Sequence, residues 1–587
     1  MAAANSGSVG RGKPLQKRVA QETRKSPGMS MPPSAVGYGE TEVRTAGPAR
    51  LFGRAGALLT QALIAGLLVL SACSPTQETP RQFVIGQESE PERLDPLTIK
   101  SPETFRVSWQ IYEGLLGLSE SGEIRPLLAE RWETTDYRTW TFHIRKNVYF
   151  HTSELFGASN ATRRVTADDV LASYTAYCSA SAYPSFLLTD TVRGCADYNA
   201  GRAKVVEGLK ALDDSTFQIT LIQPEPFFLH RITTAWIAVF PGEAALGQFK
   251  GKWGLQLAVG TGPFRLRSKT DSEIVLERNE RYWDQARIPD VQRLLFRIIK
   301  NDQVRFGELA NGKIDMMVVP TALFPALFDK DGSLRSPYRE THRLKALKTF
   351  NTHMIGINLK LVPDVHLRRA MFYGTNREEM VKSLLYGYAD LTGGTVPPGI
   401  NGYQPLFEGK LFDLERARGE LKQSQYKGQE LELLVHDLAN SELIGQTFQR
   451  QMKAVGINIR LTKLDFNSVI SRFLKGEADL FSMFFEYVFS SPEPILLNLF
   501  ATAKIPVPNF WQYSNPKVDV QLEALRQTAS RETSMRRSAE IEREIMSDVP
   551  AVFLYRQKYL ALYSNRFAGL QVNSHGHYQF ETLKVAR

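Results

Sequence analysis

The sequence predicts an α/β fold in two large lobes, and three observations predict it. The chain has 587 residues, and a single hydrophobic core stops growing near roughly 250–300 residues, so the length asks for two cores. Three segments share one grammar of helix, glycine and apolar strand: Phe306–Ala310 with Gly312 before Ile314–Val319, Phe448–Ala454 with Gly456 before Ile457–Leu461, and Val469–Lys475 with Gly476 before Leu480–Phe485. Glycine just after a helix supplies the left-handed turn that ends it, and repeated helix–strand units layer helices on a sheet. Other runs, Thr216–Ile222 and Glu273–Arg278, alternate as strands do.

The N-terminal end reads as an export segment. Residues 55–76 carry no charge, Arg50 and Arg54 lie just before them, and Ala55–Ala72 is mostly apolar. A basic flank, a short apolar run and small residues make a secretory signal. The run ends Leu70-Ser71-Ala72-Cys73, a lipobox whose small residues fit a peptidase groove and whose thiol, on Cys73, takes the lipid. The alternative is a spanning helix, which needs about 20 apolar residues; the run is marginal for that. Residues 1–49, rich in Gly, Ser, Pro and Arg, read as a disordered leader, and Met29 and Met31 offer later starts. The expected organisation is 1–72 leader and signal, then 73–80 a linker anchored to the membrane by acyl chains.

Six of the ten excess positive charges lie in residues 1–73, where nine Lys/Arg face three Asp/Glu, which leaves a mild +4 over the remainder. That argues against a nucleic-acid partner, which usually meets a strong basic patch. Besides Cys73 the chain has Cys178 and Cys195. In an exported protein a disulfide between them is favoured, and it would stabilise the fold by roughly 3 kcal/mol; two buried thiols are the other reading.

Helix starts are legible at Asn376-Arg-Glu-Glu379 and Thr166-Ala-Asp-Asp169, both capping-box patterns. Residues for catalysis are not. The chain holds no His-Glu-x-x-His, no Cys-x-x-Cys, no Gly-x-Ser-x-Gly and no phosphate loop. Gly260-Thr261-Gly262 lacks a third glycine, and Pro263 follows where a helix would open. His575-Gly-His577 could place two imidazoles on one strand face, but a solvated strand end is the simpler reading. The expectation is a binding module with no cofactor and no metal, not an enzyme.

An ordered series of segments carries a resemblance. It runs Pro91-Glu-Arg-Leu-Asp-Pro96, Ile111-Tyr-Glu-Gly-Leu-Leu116, Gly122-Glu-Ile-Arg-Pro-Leu-Leu-Ala-Glu-Arg-Trp132, Trp140-Thr-Phe-His-Ile-Arg145, Val165-Thr-Ala-Asp-Asp-Val170, Gly208-Leu-Lys-Ala-Leu-Asp-Asp214, Gly260-Thr-Gly-Pro-Phe264 and Glu277-Arg-Asn-Glu-Arg-Tyr-Trp283, then Asn358-Leu-Lys, Leu367-Arg-Arg-Ala370 and Tyr513-Ser-Asn-Pro516. The series, from about 83 to 575, resembles the family 5 extracellular solute-binding proteins of oligopeptide, dipeptide and nickel ABC importers, nearest to the oligopeptide-binding ones. The resemblance implies a two-lobed periplasmic-binding-protein clamp (type 2, cluster C) with an extra subdomain. Lobe I would run 81–345 and return at 556–587, with the subdomain at about 124–255, and lobe II would cover 346–555. The hinge would lie near Thr349–Asn358 and Val552–Tyr555.

By the same resemblance the ligand is an oligopeptide, delivered to the permease subunits of an ABC importer on the periplasmic or cell-surface side of a bacterial membrane. A sugar, a metal chelate or a peptide-like antibiotic is the first alternative; an enzyme or signalling partner on this scaffold is the second. A family aspartate usually receives the peptide ammonium just before a Glu-Pro or Asp-Pro. Here the stretch reads Phe485-Glu-Tyr-Val-Phe-Ser-Ser-Pro-Glu-Pro494. It is two residues longer than the family's, has no aspartate, and puts Ser490 at the expected position. Glu486 or Glu493 could supply the carboxylate, Tyr487 lies near an aromatic pocket position, and Arg472 could meet a ligand carboxylate. Glu90 and Glu92 fall on the cleft-facing opening segment by likeness.

Overall fold

Twelve strands form one mixed sheet, and its two halves are joined by a single long strand. The computed structural model describes residues 81–587 except 235, 248, 250, 401–402, 407–410, 438–439, 488–490 and 587. The signal, Cys73 and the 73–80 linker therefore lie outside the described residues, as does Ser490. The sheet path runs Ile459–Lys463, Leu431–Val435, Leu480–Glu486, Asn351–Ile357, Ala551–Ser564, Met316–Val319, Gln82–Gln87, Arg293–Ile298, Glu273–Arg278 and Phe264–Lys269, with His342–Lys348 and Ala389–Leu391 also paired to Ala551–Ser564. Both halves mix parallel and antiparallel pairs: Gln82–Gln87 runs parallel to Arg293–Ile298, and Leu431–Val435 parallel to Ile459–Lys463.

The helix–glycine–strand units form as read. Helices Asp302–Ala310, Ser441–Val455 and Phe466–Leu474 each feed a sheet strand. Gly456 sits at φ 109° as the cap of the second, a conformation that costs glycine nothing and other residues a steric penalty. Asn376 caps Arg377–Leu385 by accepting from the Glu379 amide, and Thr166 with Asp169 closes a capping box on Ala167–Tyr177.

Side chains on the long strand alternate between faces, and the alternation sorts the core. Val552, Leu554, Leu560 and Leu562 enter one cluster that draws on both halves, from Leu309, Met317 and Phe324 to Ile355, Leu433 and Phe448. On the opposite face the core is split. Ala551 and Phe553 join Met354, Phe481 and Trp511, whereas Ala561 and Tyr563 join Phe83, Phe296 and Phe580. The length argued for two cores; the structure has a continuous one behind the sheet and two separate ones in front.

A second, four-stranded sheet orders Ala129–Glu133, Thr139–Ile144, Thr216–Thr220 and Leu209–Asp213, with Ala167–Tyr177 packed on the last two. Cys178, at the end of that helix, is disulfide-bonded to Cys195, with Cα atoms 5.4 Å apart.

Three of the ordered motifs meet at one buried carboxylate. Glu113 accepts from the Thr261 hydroxyl at 2.7 Å, the Tyr282 hydroxyl at 2.8 Å and the Trp283 indole at 2.9 Å. Gly260 lies so close that a Cβ there would come 2.1 Å from the Ile111 carbonyl oxygen, and the Gly262 amide donates to that oxygen at 2.9 Å. These glycines serve a close backbone approach. Burial pushes the Glu113 carboxyl up to about 7 against its three donors.

Candidate functional site

The two front cores part where the chain crosses between halves. One crossing lies at Thr349–Phe350, between strands His342–Lys348 and Asn351–Ile357. The other lies inside the long strand: Tyr555 pairs with His353, but Lys558 pairs with Lys348. The switch therefore falls at residues 556–557, beyond the Val552–Tyr555 expected from the resemblance. Fully buried Asn351 ties the two crossings. Its amide donates to the Gln557 carbonyl at 2.8 Å and accepts from the Gln557 N–H at 2.9 Å. A side-chain amide has the donor and acceptor of a peptide unit, so it completes the ladder where strand pairing changes.

Glu486 ends its strand directly opposite Asn351. Its side chain is open to solvent, yet desolvation pushes its carboxyl up to about 7, against hydrogen bonds from Thr349 and Tyr559. The Tyr559 hydroxyl stands 3.3 Å away. Tyr487 follows; its N–H donates to the Phe350 carbonyl at 2.6 Å and its hydroxyl to the Thr395 carbonyl at 3.2 Å. Burial holds that hydroxyl protonated, well above its usual range.

The return segment meets the crossing at Phe350. His575 stacks edge-on to Phe350 at 5.4 Å, and His577 lies 4.8 Å from the Trp109 ring. Desolvation lowers His575 to about 4 and His577 to about 3, so both are neutral. The pair is partly exposed and packed on rings rather than a freely solvated strand end. Among the described residues, no group of three or more His, Cys, Asp or Glu is gathered to hold a metal ion. Glu88 and Arg106 make a two-pronged pair, both bonds 3.0 Å. Burial acts to raise the Glu88 carboxyl, but Arg106 outweighs it and holds it below its usual range.

The other sequence candidates stand apart. Glu90 is bound to Lys269 at 2.9 Å. Glu92 is exposed on the opening loop. Arg472, on Phe466–Leu474, is tied to Glu432 at 2.8 Å. Glu493 is buried at 7% exposure in the first turn of Pro492–Phe500. Burial first, then the charge of Glu225, push it up to about 8 against Arg231 and Arg526. Glu225 and Arg231 are themselves paired at 2.8 Å. The structure thus brings together Glu486 and Tyr487 alone of the described candidates. It adds Tyr559 and Thr349 at the Glu486 carboxyl, and His575 through the Phe350 ring; of these Tyr559 was not singled out from the sequence. The spacing of His575 and His577 was the one available signal, and it was read as solvated.

Comparison with known proteins places this architecture. Residues 123–506 match the family model described as bacterial extracellular solute-binding proteins, family 5 Middle. The dipeptide-binding protein of Escherichia coli (strain K12) is 25% identical over 455 residues, 75% of this chain and 82% of that protein. The periplasmic oligopeptide-binding protein OppA of Salmonella typhimurium is 32% identical over 328 residues, 53% of this chain and 58% of that protein. Among solved structures, HbpA2 from Haemophilus parasuis superposes with a TM-score of 0.73 at 22% identity, covering 86% of this chain and 100% of that one. With the family model covering well over half of its length, the chain belongs to the bacterial extracellular solute-binding proteins of family 5.

Proposed function

We propose that this protein captures an oligopeptide between two lobes and hands it to an ABC importer. The lobes are the sheet halves: 81–345 with 556–587, and 346–555, with the subdomain at 124–255. They hinge at Thr349–Phe350 and at residues 556–557. A continuous core behind the sheet and divided cores in front suit closure about two crossings, because the front can open without breaking a packed core. Export and acyl anchoring at Cys73 complete the reading.

The observation that carries it is the Glu486 carboxylate, solvent-open, desolvated and set beside Tyr559 at the crossing. A peptide ammonium needs a charged partner when buried. Glu486 supplies one in a stretch that lacks the aspartate, and the ammonium would draw its carboxyl back into the ionised form. The relatives' names, dipeptide-binding and periplasmic oligopeptide-binding protein, support a peptide ligand. We read the role as binding without turnover.

Thermal-shift screening of peptide pools tests this reading. A peptide that binds the folded chain raises its melting temperature with concentration. Stabilisation by sugars or metal chelates with no response to any peptide length would overturn the peptide assignment, and cleavage of bound peptide would overturn the binding-only role.

A further inference from the structure

The rings around His577 continue outward as an unbroken strip. His577 lies 6.2 Å from Phe105, and Phe105 meets Trp236 edge-on at 5.0 Å. Trp236 meets Phe186 edge-on at 6.0 Å, and Phe186 meets Tyr183 edge-on at 6.2 Å. Inward, His577 leads through His575, 6.0 Å away, to Phe350 at the crossing.

Exposure separates this strip from core packing. Tyr183 and Phe186 are 44% and 48% exposed, and Phe105, Trp109, Trp236, His575 and His577 are all partly exposed. In each edge-to-face contact one ring turns only its edge to its neighbour, which keeps that ring's own face available to a further ring. A contiguous half-exposed apolar strip on a soluble domain marks a binding surface.

Charge narrows the occupant. Both histidines are neutral, held so by desolvation. Arg106, one turn from Trp109, is consumed by Glu88. Lys100 stands over the Tyr183 ring at 5.3 Å, at the outer end. An ammonium or guanidinium laid on the strip would gain only cation–π contacts, with no carboxylate from these residues, and would meet the like charge of Lys100 at the outer end. An uncharged ring meets no such repulsion.

We infer that this strip is a side-chain subsite of the ligand cleft and that it selects peptides bearing uncharged aromatic side chains. The inference rests on the peptide-binding role proposed above. A ligand whose amine meets Glu486 lies near Phe350, whose ring meets His575, so a peptide of several residues running outward would follow the strip.

Titration calorimetry with octaalanine, and with octaalanine carrying one Phe or one Lys at each position in turn, tests it, because the rings from Phe350 out to Phe186 extend beyond the reach of a tripeptide. At the best-placed position the Phe peptide is expected to bind about tenfold tighter than octaalanine, the gain of one well-placed ring contact, and the Lys peptide to gain less at every position. Trp236→Leu and, separately, Phe186→Ala should weaken the Phe preference while leaving octaalanine affinity unchanged. The Phe186 variant keeps the test valid should the Trp236 variant fold poorly. Equal affinity for all these peptides, or a preference that survives both substitutions, overturns the inference while leaving the peptide role intact. Absence of binding by every peptide overturns both. Loss of self-association in the Phe186 variant without loss of preference would assign the exposed rings to a contact between copies and also overturn it.

Discussion

Glu113 and Glu486 are the same residue type with the same carboxyl value, about 7, and they do different things. Glu113 sits behind three donors in a closed knot, with Thr261, Tyr282 and Trp283 on its two oxygens. Glu486 touches solvent and meets hydroxyls at its rim. Desolvation dominates both. A raised carboxyl therefore does not by itself mark a binding site. What separates the two is whether the acceptor oxygens are already satisfied and whether a ligand can reach them.

The comparison breaks first on stability. Glu113→Leu leaves three buried donors unpaired, each costing roughly 1–3 kcal/mol, so urea denaturation should show a loss of about 4 kcal/mol. Peptide affinity of the folded fraction should not change. A loss below about 1 kcal/mol would mean that the knot is not structural. The double substitution Cys178→Ser/Cys195→Ser should cost about 3 kcal/mol through loop-closure entropy, again without altering peptide affinity, because the bridge lies in the region of the four-stranded sheet and not at the crossings.

Glu486→Gln should do the reverse. Affinity for peptides with a free amino terminus should fall roughly 10- to 100-fold on losing a charge-assisted bond, with little change in unfolding at pH 4, where the carboxyl is protonated in both the folded and the unfolded chain. The pH dependence follows from the sign of the shift. In the folded protein Glu113 and Glu486 both titrate near 7, above the ordinary 4.5, so the folded chain holds the extra protons between those values. Stability from these two groups is complete below about pH 4.5 and declines as pH rises through 7. Glu486→Gln should flatten part of that decline. Bound peptide should flatten the same part, because an ammonium favours the ionised carboxylate, whereas the Glu113 contribution should persist.

The smallest effect is expected at Glu493. With its carboxyl near 8, it is mostly protonated at neutral pH, and Gln is nearly isosteric with the acid. Glu493→Gln should change stability by under about 0.5 kcal/mol at pH 4, where the acid is protonated in both the folded and the unfolded chain, yet exceed the parent increasingly between pH 4.5 and 8, because the unfolded parent ionises first. An unchanged difference across this range would show that burial does not raise the Glu493 carboxyl.

Much of the fold was legible because its signals are local. Gly312, Gly456 and Gly476 each follow a helix and precede a strand, and Asn376 and Thr166 cap the helices they announce. The ordered motifs were legible too, although Glu113, Gly260, Thr261 and Trp283 prove to be scaffold. Where strand pairing changes was not legible, because Ala551–Ser564 is one long strand with no internal punctuation; only its partners, His353 for Tyr555 and Lys348 for Lys558, reveal the change. The site was half legible. Glu486 stood out against the aspartate-free stretch. Glu90 and Arg472 are paired with Lys269 and Glu432, partners distant in sequence that no local pattern announces. The environment of His575 and His577 is built by Trp109 and Phe350, which no local pattern connects to them.

The most direct measurement is titration calorimetry of a tripeptide at pH 6.5 in two buffers of different ionisation heat. A Glu486–ammonium pair predicts net proton release for the parent protein, none for Glu486→Gln, and much weaker binding of the N-acetylated peptide. Equal affinity for free and acetylated peptides, with no proton exchange, would contradict it.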